Sequence, residues 1–117
     1  MSEDRLTELQ RRVAAFAAAR DWDQFHSPKN LAMALIVEAA ELVENFQWLT
    51  EAESRALPPE KREPVAQELA DVFIYLVRLA DRLDIDLLDA AGRKIELNAQ
   101  KYPADKVRGS ARKSTEP

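Results

Sequence analysis

The chain has 117 residues and a formal net charge of −4, a length that favours one domain and a charge that disfavours nucleic acid as a partner. Glycine occurs only twice and cysteine is absent, so the composition favours helices and excludes both disulfides and a thiol nucleophile. The longest apolar run, Leu31 to Val37, is far shorter than the roughly 20 residues of a membrane span. Because the charged N-terminus does not resemble a signal peptide, we expect a soluble cytoplasmic protein.

The first predicted helix spans about residues 3–20. Its apolar residues recur at helical spacing: Leu6, Leu9, Val13 and Phe16. One side of this helix is therefore expected to pack against a core, and the sequence DWDQFH then forms a short aromatic connection.

The second predicted helix has a clear start, because Ser27 is a good N-cap and Pro28 suits the first helical position. We expect it to continue to about Trp48. Its core stripe consists of Leu31, Leu35, Ile36, Ala39, Leu42, Val43 and Phe46. Glu38 and Glu41 lie one turn apart at the edge of that stripe.

A third long helix follows the segment Leu57-Pro58-Pro59, after a short turn for which residues 50–53 have the form of a capping box. We expect it to begin between residues 60 and 64 and to end near residue 83. Its main apolar stripe is Leu69, Val72, Leu76, Leu79 and Leu83. Ile74 and Val77 lie on another side, which predicts contact with a second subunit.

The fourth predicted helix runs from Leu87, with Asp86 as N-cap, to about Lys101 before Pro103. It carries Lys94, Asn98 and Tyr102 at intervals of four residues. Residues 1–103 are expected to form a single helical domain. We expect 104–117 to be a polar, mobile tail.

Two acidic pairs carry the chemistry of this sequence. Glu38 with Glu41, and Glu68 with Asp71, are each three residues apart and therefore lie on neighbouring turns. If the second and third helices pack antiparallel, four carboxylates converge, and their mutual repulsion favours a bound divalent cation. Oxygen ligands with positions left for water and phosphate suit Mg²⁺ or Mn²⁺. The alternative is that both pairs are solvated helix faces.

The remaining candidates are weaker on the residues alone. A di-iron site is discounted because its Glu-x-x-His motifs are missing, the one histidine being His26. His26 is either a loop histidine or a group that contacts a base or phosphate. Trp22 and Trp48 either anchor the core or stack on a nucleobase. Lys94 and Asn98 could contact phosphate and nucleoside, although surface lysines are common.

Three segments of the sequence resemble a known family. HSPKNLAMALIVEAAELVENFQW, ELADVFIYLVRLAD and RKIELNAQKYP, the last followed by RGSARKSTE, resemble the MazG-like all-α nucleoside triphosphate pyrophosphohydrolases, in particular the branch of the small dCTP pyrophosphatases. The resemblance covers roughly residues 20–116 and includes all four acidic positions.

The resemblance implies a four-helix bundle that assembles as a homo-dimer or homo-tetramer. It implies Mg²⁺-dependent hydrolysis of a nucleoside triphosphate, with a dCTP-like or modified pyrimidine substrate favoured, for cleaning of the nucleotide pool. By position, it implies metal binding and catalysis by Glu38, Glu41, Glu68 and Asp71. It also implies substrate binding by His26, Trp22, Trp48, Lys94, Asn98 and Tyr102.

Two questions stay open on the sequence. Which of the four carboxylates accepts a proton from the attacking water is not fixed, with Glu41 as one candidate. A non-catalytic helical interaction module with acidic faces is the competing interpretation.

Overall fold

A computed structural model describes residues 4–112, and all regular secondary structure in this range is helical, as predicted. The elements are α1 (Arg5–Ala19), a 3₁₀ turn (Asp23–Phe25), α2 (Pro28–Glu44), α3 (Glu51–Arg55), α4 (Pro59–Arg82), α5 (Leu87–Lys101) and α6 (Ala104–Val107). Within the described range, none of these helices combines the length and apolar character that a membrane crossing requires.

Local hydrogen bonds explain where the helices begin. The Ser27 side chain accepts a hydrogen bond from the Asn30 backbone N–H at 3.2 Å, and Thr50 and Glu53 form a complete capping box. The Asp86 carboxylate caps α5 by accepting from the Asp89 N–H at 3.0 Å. These three predicted starts are therefore confirmed.

The end of α2 was predicted too late. The helix ends at Glu44 and not at Trp48, because the Asn45 N–H bonds to carbonyls within its own last turn. The Asn45 side chain also donates to the Glu41 carbonyl at 3.3 Å. Residues 45–48 consequently form turns.

The chain groups into two compact units, one ending at Asp84 and the other beginning at Ile85. In the first unit α4 is central, because α2 packs along it and α1 also contacts it. The buried apolar residues are Ala17, Leu31, Val65, Val77 and Ala80. The second unit contains α5 and α6, and α6 lies in the segment expected to be a mobile tail; residues 113–117 of that segment lie outside the described residues.

Several predicted core residues are exposed in the single chain. Ile36 and Val43 of α2 expose 67% and 57% of their surface, and Leu69 of α4 exposes 53%. Phe16 and Leu83, also predicted as core, are similarly exposed. Conversely, Val77 is 2% exposed, so its expected place at a subunit contact was wrong. The physical reason is that α1 and α2 each pack mainly against α4, so apolar residues on the other sides of these three helices remain open in the single chain.

Candidate functional site

An acidic cluster forms where α2 packs along α4. One carboxylate oxygen from each of Glu38, Glu41 and Glu68 lies within 4.8 Å of the other two. The spacing of three residues places Glu38 and Glu41 on adjacent turns of α2, and the packing of the helices adds Glu68 from α4. Three of the four predicted carboxylates are thus brought together.

Two oxygens of this cluster are buried without a partner. Glu38 Oε2 and Glu68 Oε2 have no hydrogen bond to any group in the described part of the chain. A buried carboxylate oxygen without a donor or cation is unfavourable by several kcal/mol in order of magnitude. Both oxygens belong to residues of the acidic cluster, and a bound cation would supply the partner that each of them lacks.

The electrostatics of the cluster agree with its geometry. Burial and the adjacent Glu41 carboxylate raise the pKa of Glu38 from 4.5 to about 6, with smaller contributions from Asp71 and Glu68. Burial also raises the pKa of Glu68, helped by Glu41, Asp71 and Glu44. The cluster therefore binds protons more readily than isolated glutamates, as expected for like charges held together.

Asp71 and Glu44 lie around this core of three. Asp71 is not one of the residues whose oxygens meet within 4.8 Å, although its charge raises the pKa of both Glu38 and Glu68. Glu44 was missed by the sequence analysis and acts on Glu68 in the same way. Its signal was available in the sequence, since Glu44 continues the three-residue spacing of Glu38 and Glu41.

A cavity of about 490 Å³ opens beside the cluster, between α1 and α4. This volume falls within the range of small-molecule sites. The lining is mainly apolar and consists of Leu9, Arg12, Val13, Phe16, Ala17, Trp22, His26, Asp71, Ile74, Tyr75 and Arg78. Asp71 belongs both to this lining and to the electrostatic surroundings of the acidic cluster, so it connects the two.

Trp22 and His26 are placed at the cavity by the connection between α1 and α2. Trp22 packs edge-on against Phe16 at 5.7 Å between ring centroids and lies 6.2 Å from the His26 ring. Trp22 and His26 are therefore two predicted substrate contacts that line one cavity together. Trp22 remains 42% exposed, so much of its surface is available for stacking.

Arg78 is a site residue that the sequence analysis missed. It is 4% exposed, and its guanidinium donates to Asp23 at 2.6 Å and to the Nδ1 atom of His26 at 3.1 Å. The sequence signal was a charged residue inside the apolar run FIYLVRLA, which is unusual unless the charge is paired.

The other predicted substrate contacts do not line this cavity. Trp48 follows α2 and is 86% exposed. Lys94 and Asn98 lie on the exposed surface of α5 in the second unit, and Tyr102 is the C-cap of that helix. Their roles toward a substrate stay predictions.

The donor set in the first unit fits a hard divalent cation. The cluster offers carboxylate oxygens alone, two of them unsatisfied, which is the ligand type preferred by Mg²⁺ and Mn²⁺. An adjacent apolar cavity with an aromatic wall suits the flat, uncharged part of a ligand whose charged part is held by the cation. Together they can bind a molecule with a polyanionic end and a planar end.

The chain is similar in sequence and in fold to known proteins. The MazG-like family model matches residues 33–116. The dCTP pyrophosphatase 1 of Mus musculus is 47% identical over 116 residues, which cover 97% of this chain and 68% of that protein, and the Homo sapiens protein of the same name gives the same values. The crystal structure of a pyrophosphatase from Archaeoglobus fulgidus superimposes with a TM-score of 0.82 at 38% identity, covering 88% of this chain and 96% of that one. The family match contains all four predicted metal ligands.

Proposed function

The chain belongs to the MazG-like family, and we propose that it is a nucleoside triphosphate pyrophosphohydrolase that releases a nucleoside monophosphate and pyrophosphate. The single observation that carries the proposal is the acidic cluster, in which three carboxylates meet and two buried oxygens lack partners. A non-catalytic interaction module has no need of such a cluster, because acidic groups that only solubilise a helix remain hydrated.

We assign the metal to Glu38, Glu41, Glu68 and Asp71, with Mg²⁺ as the proposed ion. Glu38 and Glu68 supply the unsatisfied oxygens, and Glu41 completes the group of three. Asp71 is close enough to affect the pKa of both neighbours. When bound, Mg²⁺ would neutralise these carboxylates and draw electron density from the phosphate oxygens.

The cavity is assigned to the nucleoside. Trp22 offers an aromatic face for the base, and His26 and Tyr75 offer polar atoms in an otherwise apolar lining. Since Asp71 lines the same cavity, a nucleotide with its base there has its phosphates near the acidic side chains.

The proposed reaction is an in-line displacement at the α-phosphorus. A bond forms between a water oxygen and the α-phosphorus, and the bond from that phosphorus to the oxygen bridging the α and β positions breaks. A carboxylate of the cluster accepts the water proton, with Glu41 as the proposed base. Pyrophosphate leaves with the bridging oxygen.

We propose a deoxycytidine triphosphate or modified pyrimidine deoxynucleotide as substrate, and nucleotide-pool cleaning as the role. The support is the name of the mammalian relatives, dCTP pyrophosphatase 1, with which the chain shares 47% identity. Since nucleoside triphosphates are intracellular metabolites, we also propose a cytoplasmic location.

We propose that Lys94 and Asn98 contact phosphate and nucleoside, with Tyr102 near them, and that Trp48 lines the nucleotide pocket. Lys94 and Asn98 lie one turn apart on the same exposed surface of α5, which supports a shared ligand. Tyr102 lies close to Asn98 at the end of α5, since the Tyr102 N–H donates to the Asn98 carbonyl at 2.8 Å.

Assembly into a homo-dimer or homo-tetramer, built from four-helix bundles, is also proposed. Met33, Ile36 and Val37 of α2 are all more than half exposed, as is Leu69 of α4. Because several large apolar side chains are exposed in the single chain, we expect another subunit to bury them.

The test is direct. The protein is incubated with dCTP, dTTP and dUTP, each with Mg²⁺ or with a chelator, and pyrophosphate is measured. We expect Mg²⁺-dependent release from at least one substrate and release at least about 10²-fold slower from Glu41→Gln. Glu96→Gln on the exposed surface of α5 is the matched control and should release pyrophosphate at the natural rate. Absence of pyrophosphate from all three substrates at saturating Mg²⁺ contradicts the proposal.

A further inference from the structure

Arg78 is a buried cation at the wall of the cavity, and its contacts reach several parts of the first unit. Its Nη2 atom donates to the Asp23 carboxylate at 2.6 Å, and its Nη1 atom lies 3.6 Å from the Asp81 carboxylate on the next turn of α4. Asp81 in turn accepts a hydrogen bond of 2.7 Å from Gln10 of α1. The guanidinium is thus held between the aromatic connection and two helices.

This arrangement fixes the orientation of the guanidinium. Asp23 accepts a short hydrogen bond from Arg78 and Asp81 lies at ion-pair distance, so the planar guanidinium keeps both contacts only in a narrow range of rotations. A buried arginine paired in this way is well placed to orient a third group. That third group is His26.

The contact between Arg78 and His26 determines where the imidazole carries its proton. The Nε atom of Arg78 lies 3.1 Å from Nδ1 of His26, and a guanidinium nitrogen donates but never accepts. Nδ1 must therefore be the accepting, unprotonated nitrogen. A neutral imidazole has one N–H, so its proton lies on Nε2.

The surroundings of His26 favour this neutral form. Burial lowers the pKa of His26 below 6.5, and the positive charges of Arg78 and Arg82 outweigh the opposite effect of Asp23. The Arg82 Nε atom also donates to the His26 carbonyl at 3.1 Å, which holds the backbone of the connection against α4.

We propose that Arg78 is a positioning residue that holds His26 in the neutral Nε2–H form, so that the cavity offers an uncharged donor to a carbonyl oxygen of the nucleotide base. The role toward the base depends on the function proposed above, whereas the state of the imidazole does not. A carbonyl is favoured over a phosphate as the acceptor, because the lining is mainly apolar and a neutral imidazole supplies no charge to compensate the burial of a polyanion.

The first experiment measures which ring nitrogen of His26 carries the proton. His26 is the one histidine of the sequence, so nitrogen NMR of the ¹⁵N-labelled full chain at neutral pH reports on a single ring. We expect Nε2 to carry the proton in the natural protein and the proton to redistribute toward Nδ1 in Arg78→Met. A proton on Nδ1 in the natural protein, or an unchanged ring in Arg78→Met, overturns the proposal.

Two further variants serve as a control and as a second test of this result. Arg93→Met removes an arginine whose Nε donates to Asp89 at 2.9 Å on the exposed surface of α5, and it is expected to leave His26 unchanged. If Arg78→Met does not fold, Arg78→Lys retains the positive charge beside Asp23 but lacks the donor fork, and it should alter the ring in the same way. An unaltered ring in Arg78→Lys then counts against the proposal.

The second experiment measures binding. For the preferred triphosphate, we expect Arg78→Met and His26→Ala each to raise KM about tenfold, with a smaller change in kcat, which is the effect of one lost hydrogen bond. Because Arg78 acts through His26, the double variant should resemble the single variants. The positioning role is refuted if the increases in KM of Arg78→Met and His26→Ala add up in the double variant. It is also refuted if Arg78→Met has the same KM as the control Arg93→Met. If no variant and no substrate gives pyrophosphate, the proposed function fails, while the NMR result still decides the state of His26.

Discussion

The substitution Glu38→Gln is predicted to stabilise the metal-free protein while it impairs the proposed reaction. Glu38 lies in a cluster of like charges, and one of its oxygens is buried without a partner. Glutamine has nearly the same shape, carries no charge and brings two N–H donors for neighbouring carboxylates. The change should therefore relieve repulsion that, near neutral pH, a bound cation would otherwise relieve.

The size of the effect follows from the pKa. The rise of the Glu38 pKa from 4.5 to about 6 corresponds to at most about 2 kcal/mol, at about 1.4 kcal/mol for each pH unit. Because solvent reaches part of the cluster, we expect about half of this, or about 1 kcal/mol. For a chain of this length, that raises Tm by about 4 °C.

The effect should depend on pH with a defined sign. A carboxyl whose folded pKa is raised binds more protons in the native state than in the unfolded state, so its presence lowers stability as the pH rises. The advantage of Glu38→Gln should be small below pH 4.5, grow between pH 4.5 and about 6, and stay constant above that.

Thermal unfolding with EDTA, at one protein concentration and several pH values, measures this difference. Glu96→Gln, which removes the same charge from an exposed part of α5, is the control and should change Tm little at any pH. Addition of Mg²⁺ at pH 7.5 should stabilise the natural protein more than Glu38→Gln. A lower Tm for Glu38→Gln at pH 7.5, or a difference that does not vary with pH, refutes the electrostatic reasoning.

Three other predictions concern the site and the fold. Glu41→Gln and Asp71→Asn should each lower kcat about 10²-fold or more with saturating Mg²⁺, and near-normal kcat in either variant removes that residue from the proposed site. Trp22→Ala should raise KM for a triphosphate about tenfold through lost stacking, whereas Trp22→Phe should retain most of the affinity; equal effects of the two variants contradict stacking. Thr50→Ala should lower stability by about 1 kcal/mol in thermal unfolding because it breaks the capping box of α3, and activity should be unaffected.

The local structure of this protein was largely predictable. The starts of α2, α3 and α5 follow from Ser27, Thr50 and Asp86, since each cap bonds to a backbone N–H three residues later. The end of α2 was harder to predict, because the apolar periodicity continues through Phe46 although Asn45 closes the helix. The capping residues therefore made the helix starts easier to predict from the sequence than the end of α2.

The candidate site was predictable only in part. The spacing of Glu38 and Glu41 places both on one side of α2 whatever the rest of the chain does. Whether Glu68 joins them depends on how far α4 is shifted along α2, and no pattern within either helix encodes that shift. The same packing leaves Asp71 outside the group of three and brings Glu44 close enough to act on Glu68.

The amino-acid sequence by itself determined an all-helical chain, its caps and two acidic pairs, because these features depend on residues within about one helical turn of one another. Only the tertiary structure decided which carboxylates meet, that Arg78 is buried against Asp23 and His26, and that Ile36 and Leu69 remain exposed. These outcomes depend on contacts between residues far apart in the chain, such as the 52 positions separating His26 from Arg78. Helical periodicity tells which residues share a face, and packing decides what that face meets.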